Sequence, residues 1–519
     1  MSRLGFLLDS DSCIGCHACT VACKSEHDVP LGVNRTWVKY IESGSFPNVS
    51  RHFSVMRCNH CDDAPCMDIC PTTALFRADN GVVDFDDGNC IGCKACMNAC
   101  PYDAIYINPE TNTANKCNFC NHRVEVGLEP SCVIVCPTEA IKIGDLDDPT
   151  SEISRIIARD DVAVRAPEQN TKPKVFYRGA DQASLDPTRT AIANDGMIWA
   201  DTLRDRTAGP THPSVSVTLG RKPESENGVV ARTAYTTSHI MAWKEKVSGY
   251  LVTKAIAAGV MLVAALMTLL GHAEHQAAVG VVPPMIAGVF LAITGVLLIT
   301  DLKQPTRFHY LLTRGNRTSW LVKGAYALMF FTVVCGIWWL AGLFEWETLL
   351  RWLAIPAVLG AAATAGYTAF LFAQCEGRDL WQTPLLLPTL LAQAVTAGGA
   401  TWAIMDVFMN IPASDAVRWT LIAGVGATAA LIWVELTARG SRHVELAIHE
   451  MTKGAYKEKF WFGGILVGLA IPAALTIVAL AAGGAFATGA AAVAGLLAIV
   501  GMWFYEDAFV RAGQSVPLS

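Results

Sequence analysis

Residues 90–101 read CIGCKACMNACP, and this short stretch decides how the first third of the chain folds. Three cysteines spaced C-x2-C-x2-C lie on one tight loop, so their thiolates can reach one small face of a cubane iron–sulfur cluster. The fourth, three residues on and followed by proline, points away toward a second cluster. Working outward, related arrangements recur as CIGCHACTVAC at 13–23, CNHCDDAPCMDICP at 58–71, and CNFC at 117–120 followed by SCVIVCP at 131–137. Sixteen of the eighteen cysteines therefore fall into four groups. They are Cys13, Cys16, Cys19 and Cys23; Cys58, Cys61, Cys66 and Cys70; Cys90, Cys93, Cys96 and Cys100; and Cys117, Cys120, Cys132 and Cys136. CPTTAL at 70, CPYDAI at 100 and CPTEAI at 136 are versions of one phrase, an internal repeat.

The loops between these cysteines are small and polar, so backbone amides can hydrogen-bond the sulfurs and tune a cluster's potential. Disulfides suit an oxidising compartment, whereas the start MSRLGFLLDSDSC offers only the apolar patch Phe6 to Leu8 and no twin-arginine pair, so no export signal is expected. Zinc sites use two separated pairs rather than four closely spaced cysteines ending in Cys-Pro. Iron–sulfur ligation is the reading these spacings favour. Cys335 and Cys375 sit in or beside apolar runs and read as small buried thiols.

The remainder of the chain is of another kind. With 519 residues, 17% of them charged, and a mean hydropathy of +0.34, the protein is too apolar to be soluble at this size. The first 240 or so residues are polar and Cys-rich; almost everything after is long apolar runs. The net charge of -6 argues against nucleic acid, which calls for a basic patch. No Ser/His/Asp triad signature, P-loop or dinucleotide fingerprint occurs, so substrate chemistry is expected on a separate subunit.

Eight apolar runs fall at roughly 250–270, 281–300, 323–344, 353–374, 384–405, 417–436, 461–482 and 486–506, each long enough to span a bilayer. The expected fold is an α+β iron–sulfur domain followed by an all-α bundle of about eight transmembrane helices. Pro283, Pro284 and Pro388 lie inside runs, where neighbouring helices can cover the freed carbonyls. GAAATAG and GGAFATGAAAVAG allow helices to pack closely. Sixteen Lys and Arg, from Arg232 to Arg511, flank one side of these runs, and only Arg351 and Arg418 the other. The positive-inside rule then puts both termini and the iron–sulfur domain in the cytoplasm, on a multi-pass protein of the inner membrane. Domain boundaries are expected at 1–180, 181–238 and 239–519, the middle piece being a polar linker or a docking surface for a catalytic subunit.

On its cysteine motifs, the stretch 5–180 resembles the four-cluster ferredoxin-like electron-transfer subunits of molybdenum and tungsten oxidoreductases, such as the dimethyl sulfoxide and polysulfide reductases. The resemblance implies that the first group pairs with the fourth and the second with the third. One cluster would then take Cys13, Cys16, Cys19 and Cys136, and its neighbour Cys117, Cys120, Cys132 and Cys23. The other pair would use Cys58, Cys61, Cys66 and Cys100, then Cys90, Cys93, Cys96 and Cys70. No ligand is replaced, so four [4Fe–4S] clusters are expected; Lys24, where proline is common, is the one departure. DLKQPTRFHYLLTRGNRTSW at 301, ELAIHEMTKGAYKEKFW at 445 and EDAFVRAGQSVPLS at 506 resemble the NrfD-type membrane subunits of polysulfide reductase. That resemblance implies exchange of electrons with quinone, a molybdopterin-containing partner and no haem.

The histidines agree with the expectation of no haem, since His239, His309, His443 and His449 fall at or beyond helix ends and His272 and His275 in the opposite loop. Quinone chemistry needs proton donors and acceptors near the membrane edge. His239, Trp243, Lys254, Asp301, His309 and Glu435 are the candidates, with His239 favoured because relatives place a quinone-contacting histidine just before the first helix. Lys254 and Glu435 lie inside or near the end of apolar runs, where ionisable groups are costly and functional by default, or else snorkel to the interface. The expectation is a non-catalytic, quinone-reactive electron conduit. The alternative is a ferredoxin-fed quinone oxidoreductase or redox-coupled proton pump without a molybdopterin partner, for which Tyr367 and Gln393 are the mid-span polar groups.

Overall fold

The computed structural model describes residues 3–192, 231–237, 240–271, 276–409, 411 and 413–519. Two small sheets frame the cysteine-rich half. The first strand, Leu4–Asp9, is central in a four-stranded sheet: it runs antiparallel to Ile141–Asp145 and parallel to Val175–Arg178, which pairs with Val162–Ala163. Its LGFLLD sequence is apolar on both faces because both are covered, with Phe6, Leu7 and Leu8 all buried. The long hairpin Thr36–Ser45 and Asn48–Arg57 forms the second sheet. Ala231–Tyr235 and Ala191–Ile192 extend it, so residues on both sides of position 200 pack as part of the cysteine-rich domain. Residues 193–230 of the expected docking segment lie outside the described residues.

Among the described residues, eight helices, some prolonged by π-helical turns, build the bundle of the second half: α1 Glu245–Leu269, α2 Val282–Asp301, α3 Trp320–Leu343, α4 Glu347–Ala373, α5 Leu386–Met405, α6 Ser414–Thr437, α7 Ile471–Ala481 and α8 Gly484–Ser515. π-helical turns lead into two of them, Gln276–Val281 before α2 and Lys459–Ala470 before α7. Seven of the eight, with these extensions, are long and apolar enough to cross a membrane. The exception, α5, matches α2 in length at 20 residues. It is more polar because it is an inner helix: Thr389, Gln393, Thr396 and Thr401 are buried against neighbouring helices, where lipid does not reach them. α1 and α4 are also mostly buried, whereas α2, α3 and α6 turn apolar side chains such as Val289, Val333 and Trp433 outward.

Small residues set the closest contacts. A side chain on Gly495 of α8 would meet the backbone of Ala400 in α5 at 2.6 Å, so the glycine permits the approach. The apolar runs underestimate the last helix, which continues to Ser515 because its charges are paired. Asp507 is fully buried, held by Lys459, by Arg511 at 2.9 Å and by the Ser248 hydroxyl at 3.2 Å. Cys335 and Cys375 are both buried.

Candidate iron–sulfur centres and their membrane junction

The cysteine loops are tight because their sequences supply residues that turn left-handed. Gly15 and His17 in one loop, and Gly92 and Lys94 in another, have φ between 59° and 69°. Each loop then runs straight into a short helix, Ala18–Glu26 or Ala95–Ala99, so successive cysteines converge from one side.

The sulfurs gather in four sets. Burial raises the thiols of Cys13, Cys19, Cys23, Cys66 and Cys96, and neighbouring sulfurs raise them further. Cys13 faces Cys136 and Cys16, and Cys19 faces Cys13 and Cys136. Cys23 faces Cys117, Cys132 and Cys120. Cys66 faces Cys100, Cys58 and Cys61, and Cys96 faces Cys93, Cys90 and Cys70. Electrostatic influence between sets gives their order: Cys132 also acts on Cys19, Cys58 on Cys117, and Cys66 on Cys96. The line runs from the Cys13 set through the Cys23 set and the Cys58 set to the Cys70 set.

Burial above all pushes Cys19 up to about 11 and Cys61 and Cys93 up to about 12. Such thiols ionise when a metal takes the place of the proton. Backbone amides already point at sulfur, from His60 to Cys58 at 3.4 Å, and from Gly92 and Ala114 to Cys90 at 3.4 and 3.3 Å. All-sulfur donor sets served by N–H groups fit iron–sulfur clusters.

Exposure is greatest at one end of the line and least in its middle, with Cys93 of the last set half-buried. Cys16 is exposed and Cys13 and Cys136 are half-buried, whereas every cysteine of the Cys23 and Cys58 sets is buried. Apolar side chains ring the exposed end: Ile14, Val21 and Ile134 are each about three-fifths exposed.

The other end is bonded to the helical half, chiefly through main-chain carbonyls of the cysteine loops. Lys303 and Gln304 donate amides to Gly92 and Ile91 at 3.1 and 3.2 Å. Arg307 donates to the Cys90 carbonyl at 2.8 Å, Asn316 to that of Cys70 at 3.0 Å, and the Trp243 indole to that of Cys93 at 3.1 Å. Lys94 and Asp301 form an ion pair at 2.8 Å. Arg378, buried and with its charge disfavoured by that burial, bonds Asn98 at 3.3 Å and the Val516 carbonyl at 3.1 Å.

The quinone candidates do not form one group. Trp243 bonds the Cys93 carbonyl, and Asp301 pairs with the adjacent Lys94. His309 sits on an exposed turn, its ring against Tyr310. Lys254 is buried in the bundle, donating to the Ala365 carbonyl at 2.9 Å and to Thr368, and Glu435 is buried near the end of α6. His239, His272 and His275 lie outside the described residues. Sequence reasoning missed Glu506, which is 2% exposed and bonded to Gln393 at 2.7 Å; an acid at the end of an apolar run was the available signal. It also missed Gln514, which accepts from the Trp243 amide at 2.9 Å and donates to its carbonyl at 2.8 Å, a contact for which the sequence carries no signal.

Known proteins resemble both halves. Residues 12–75 and 49–146 each match the 4Fe-4S dicluster domain, and residues 235–516 match polysulphide reductase, NrfD. Among relatives, a tetrathionate reductase subunit of Salmonella typhimurium is 44% identical over 189 residues, 36% of this chain and 76% of that protein. The thiosulfate reductase electron transfer subunit PhsB of Salmonella typhi is 47% identical over 175 residues, covering 33% and 90%. A polysulfide reductase component of Wolinella succinogenes is 38% identical over 177 residues, covering 34% and 93%. These relatives correspond to the cysteine-rich half, and the larger match falls on the helical half: the chain thus belongs to the NrfD polysulphide reductase family, with two 4Fe–4S dicluster modules fused ahead of its membrane domain.

Proposed function

We propose that this chain is the electron-transfer and membrane-anchor subunit of a quinone-linked oxidoreductase, carrying electrons between a separate catalytic subunit and membrane quinone. The observation that carries the reading is the ordered line of thiol sets, exposed at Cys16 and ending where the Cys93 carbonyl meets Trp243. Bound at those sets, four [4Fe–4S] clusters would supply one-electron redox chemistry at each. The protein's part is to space them, enclose the inner sets and fasten the last to the helices. The apolar ring of Ile14, Val21 and Ile134 suits a partner docked over the outer set.

The partner is a molybdopterin enzyme on this reading, and the names of the relatives favour reduction or oxidation of sulfur compounds. The excess of Lys and Arg on the cysteine-rich side of the helices supports a cytoplasmic location for that domain, in the inner membrane. Quinone would approach the junction near Trp243 and Asp301, with His239 just ahead of α1.

A mild-detergent purification of the full chain with metal analysis tests this reading. About sixteen irons per chain together with a molybdenum- or tungsten-containing partner is the expected result; zinc in place of iron would overturn it. A second reading, redox-coupled proton movement, is favoured by one observation: Lys254, Gln393, Glu435 and Glu506 are all buried inside the bundle. Proton release from liposomes beyond that of quinone chemistry alone would support it.

A further inference from the structure

The strand Asn48–Arg57 ends in an arginine that does not reach solvent. Arg57 is 0% exposed, and its Nη1 donates to the Cys132 sulfur at 3.3 Å. The guanidinium lies 4.3 Å over the Phe6 ring. Its Nε and Nη2 are also buried and have no hydrogen-bond partner among the described residues. A guanidinium stays charged in a protein, and the thiols whose fields act on this one are Cys132, Cys117 and Cys19. Arg57 thus stands between the two outer thiol sets, bonded to the second.

A cation sealed in the interior without a counter-charge is strongly destabilising, so this one belongs with the negative charge that thiolates bring on binding iron. Reduction by one electron adds a further negative charge, and a fixed cation in a water-poor site favours that state. The N–H to sulfur bond acts in the same direction. The outer set is partly open at Cys16, where water screens such effects, while the second set is enclosed.

We infer that Arg57 is a positioning residue that raises the reduction potential of the cluster held by Cys23, Cys117, Cys120 and Cys132, making it the place where an electron entering from the outer set is held. The electron would come from the neighbouring reduced cluster, with no bond made or broken. The inference rests on the reading of the four thiol sets as cluster sites.

The test is an anaerobic redox titration of the full-length holoprotein in mild detergent, followed by electron paramagnetic resonance. Arg57→Gln with its iron complete should lower one midpoint enough to change that cluster's oxidised-to-reduced ratio by about tenfold, or about 59 mV for one electron. The shifted signal should be the one altered by Cys120→Ser, the other three should stay put, and Arg57→Lys should keep most of the wild-type potential. Four unmoved midpoints, or an equal shift in all four, would overturn the inference. If Arg57→Gln fails to hold its iron, the wild type labelled with 15N-arginine decides: pulsed resonance should show a nitrogen coupling at the Cys120-dependent cluster, and its absence there overturns the inference. A wild type without iron would instead remove the cluster reading itself.

Discussion

The indole Nε1 of Trp243 donates to the carbonyl oxygen of Cys93 at 3.1 Å, bonding the residue just ahead of α1 to the innermost cysteine loop. The same ring stacks on Phe372 and Trp381, with centroids 5.6 and 5.5 Å away, and Gln514 clamps its backbone from α8. Residues of three further segments, Phe372, Trp381 and Gln514, thereby brace the tryptophan that bonds this cysteine loop.

Trp243→Phe keeps a ring in that stack and loses one hydrogen bond, which should cost about 1 kcal/mol and leave electron transfer nearly intact. Trp243→Ala removes the contact surface as well. Displacing a reacting group by about 1 Å can cost on the order of a hundredfold, so quinol-driven reduction of the iron–sulfur chromophore should slow by about tenfold or more. Stopped-flow absorbance reads this directly, and a wild-type rate in Trp243→Ala would rule out the junction as the route.

The Lys94–Asp301 pair is largely enclosed, with side chains 9% and 18% exposed. Removing one partner strands the other, so Lys94→Met and Asp301→Asn should each loosen the junction while the double variant loses little more. A coupling of about 1–3 kcal/mol is expected from thermal unfolding of the four proteins. Simple additivity would mean that the pair contributes nothing to the attachment.

Gly377 follows α4 and lies against a cysteine loop. A side chain there would come within 2.7 Å of the Cys100 carbonyl oxygen and 2.9 Å of that of Asn98. Both neighbours are backbone and cannot swing aside, so Gly377→Ala should cost about 1–3 kcal/mol. Iron should be lost first from the set containing Cys100. Full iron content and an unchanged melting point would contradict this.

Lys39 is buried in the strand Thr36–Ser45, and its ammonium has no hydrogen-bond partner among the described residues. Burial, with Arg165 nearby, pushes its pKa down to about 7, below the value of roughly 10.4 expected when unfolded. Between these values the unfolded state binds more protons, so stability should rise with pH from about 7 to 10. Lys39→Met should stabilise the protein by about 1–4 kcal/mol below pH 7, with the gain fading toward pH 10. Parallel pH profiles for the two proteins would show that Lys39 is not the cause.

Much of this was legible because its signals are local. Three cysteines on one tight loop define a ligand set within a dozen residues, and apolar runs mark helices without reference to their neighbours. Long-range partnerships left no such mark. Gln514 meets Trp243 across 271 positions, and Arg57 lies 75 residues from the cysteine it bonds. α8 runs to Ser515 because Asp507 finds Lys459 and Arg511, pairings that a hydropathy window does not see. Lys254 and Asp301 illustrate the converse: each stands out as an ionisable group at a membrane helix, yet each is engaged by partners in different parts of the molecule.

The most direct test of electron flow between quinone and the cysteine-rich domain uses the full chain in liposomes, without any partner, exposed anaerobically to a reduced quinol. Bleaching of the iron–sulfur absorbance on quinol addition, reversed by an oxidised quinone, is the predicted result. A fully loaded protein whose spectrum quinol leaves unchanged, while dithionite reduces it, would contradict the proposed connection to the membrane.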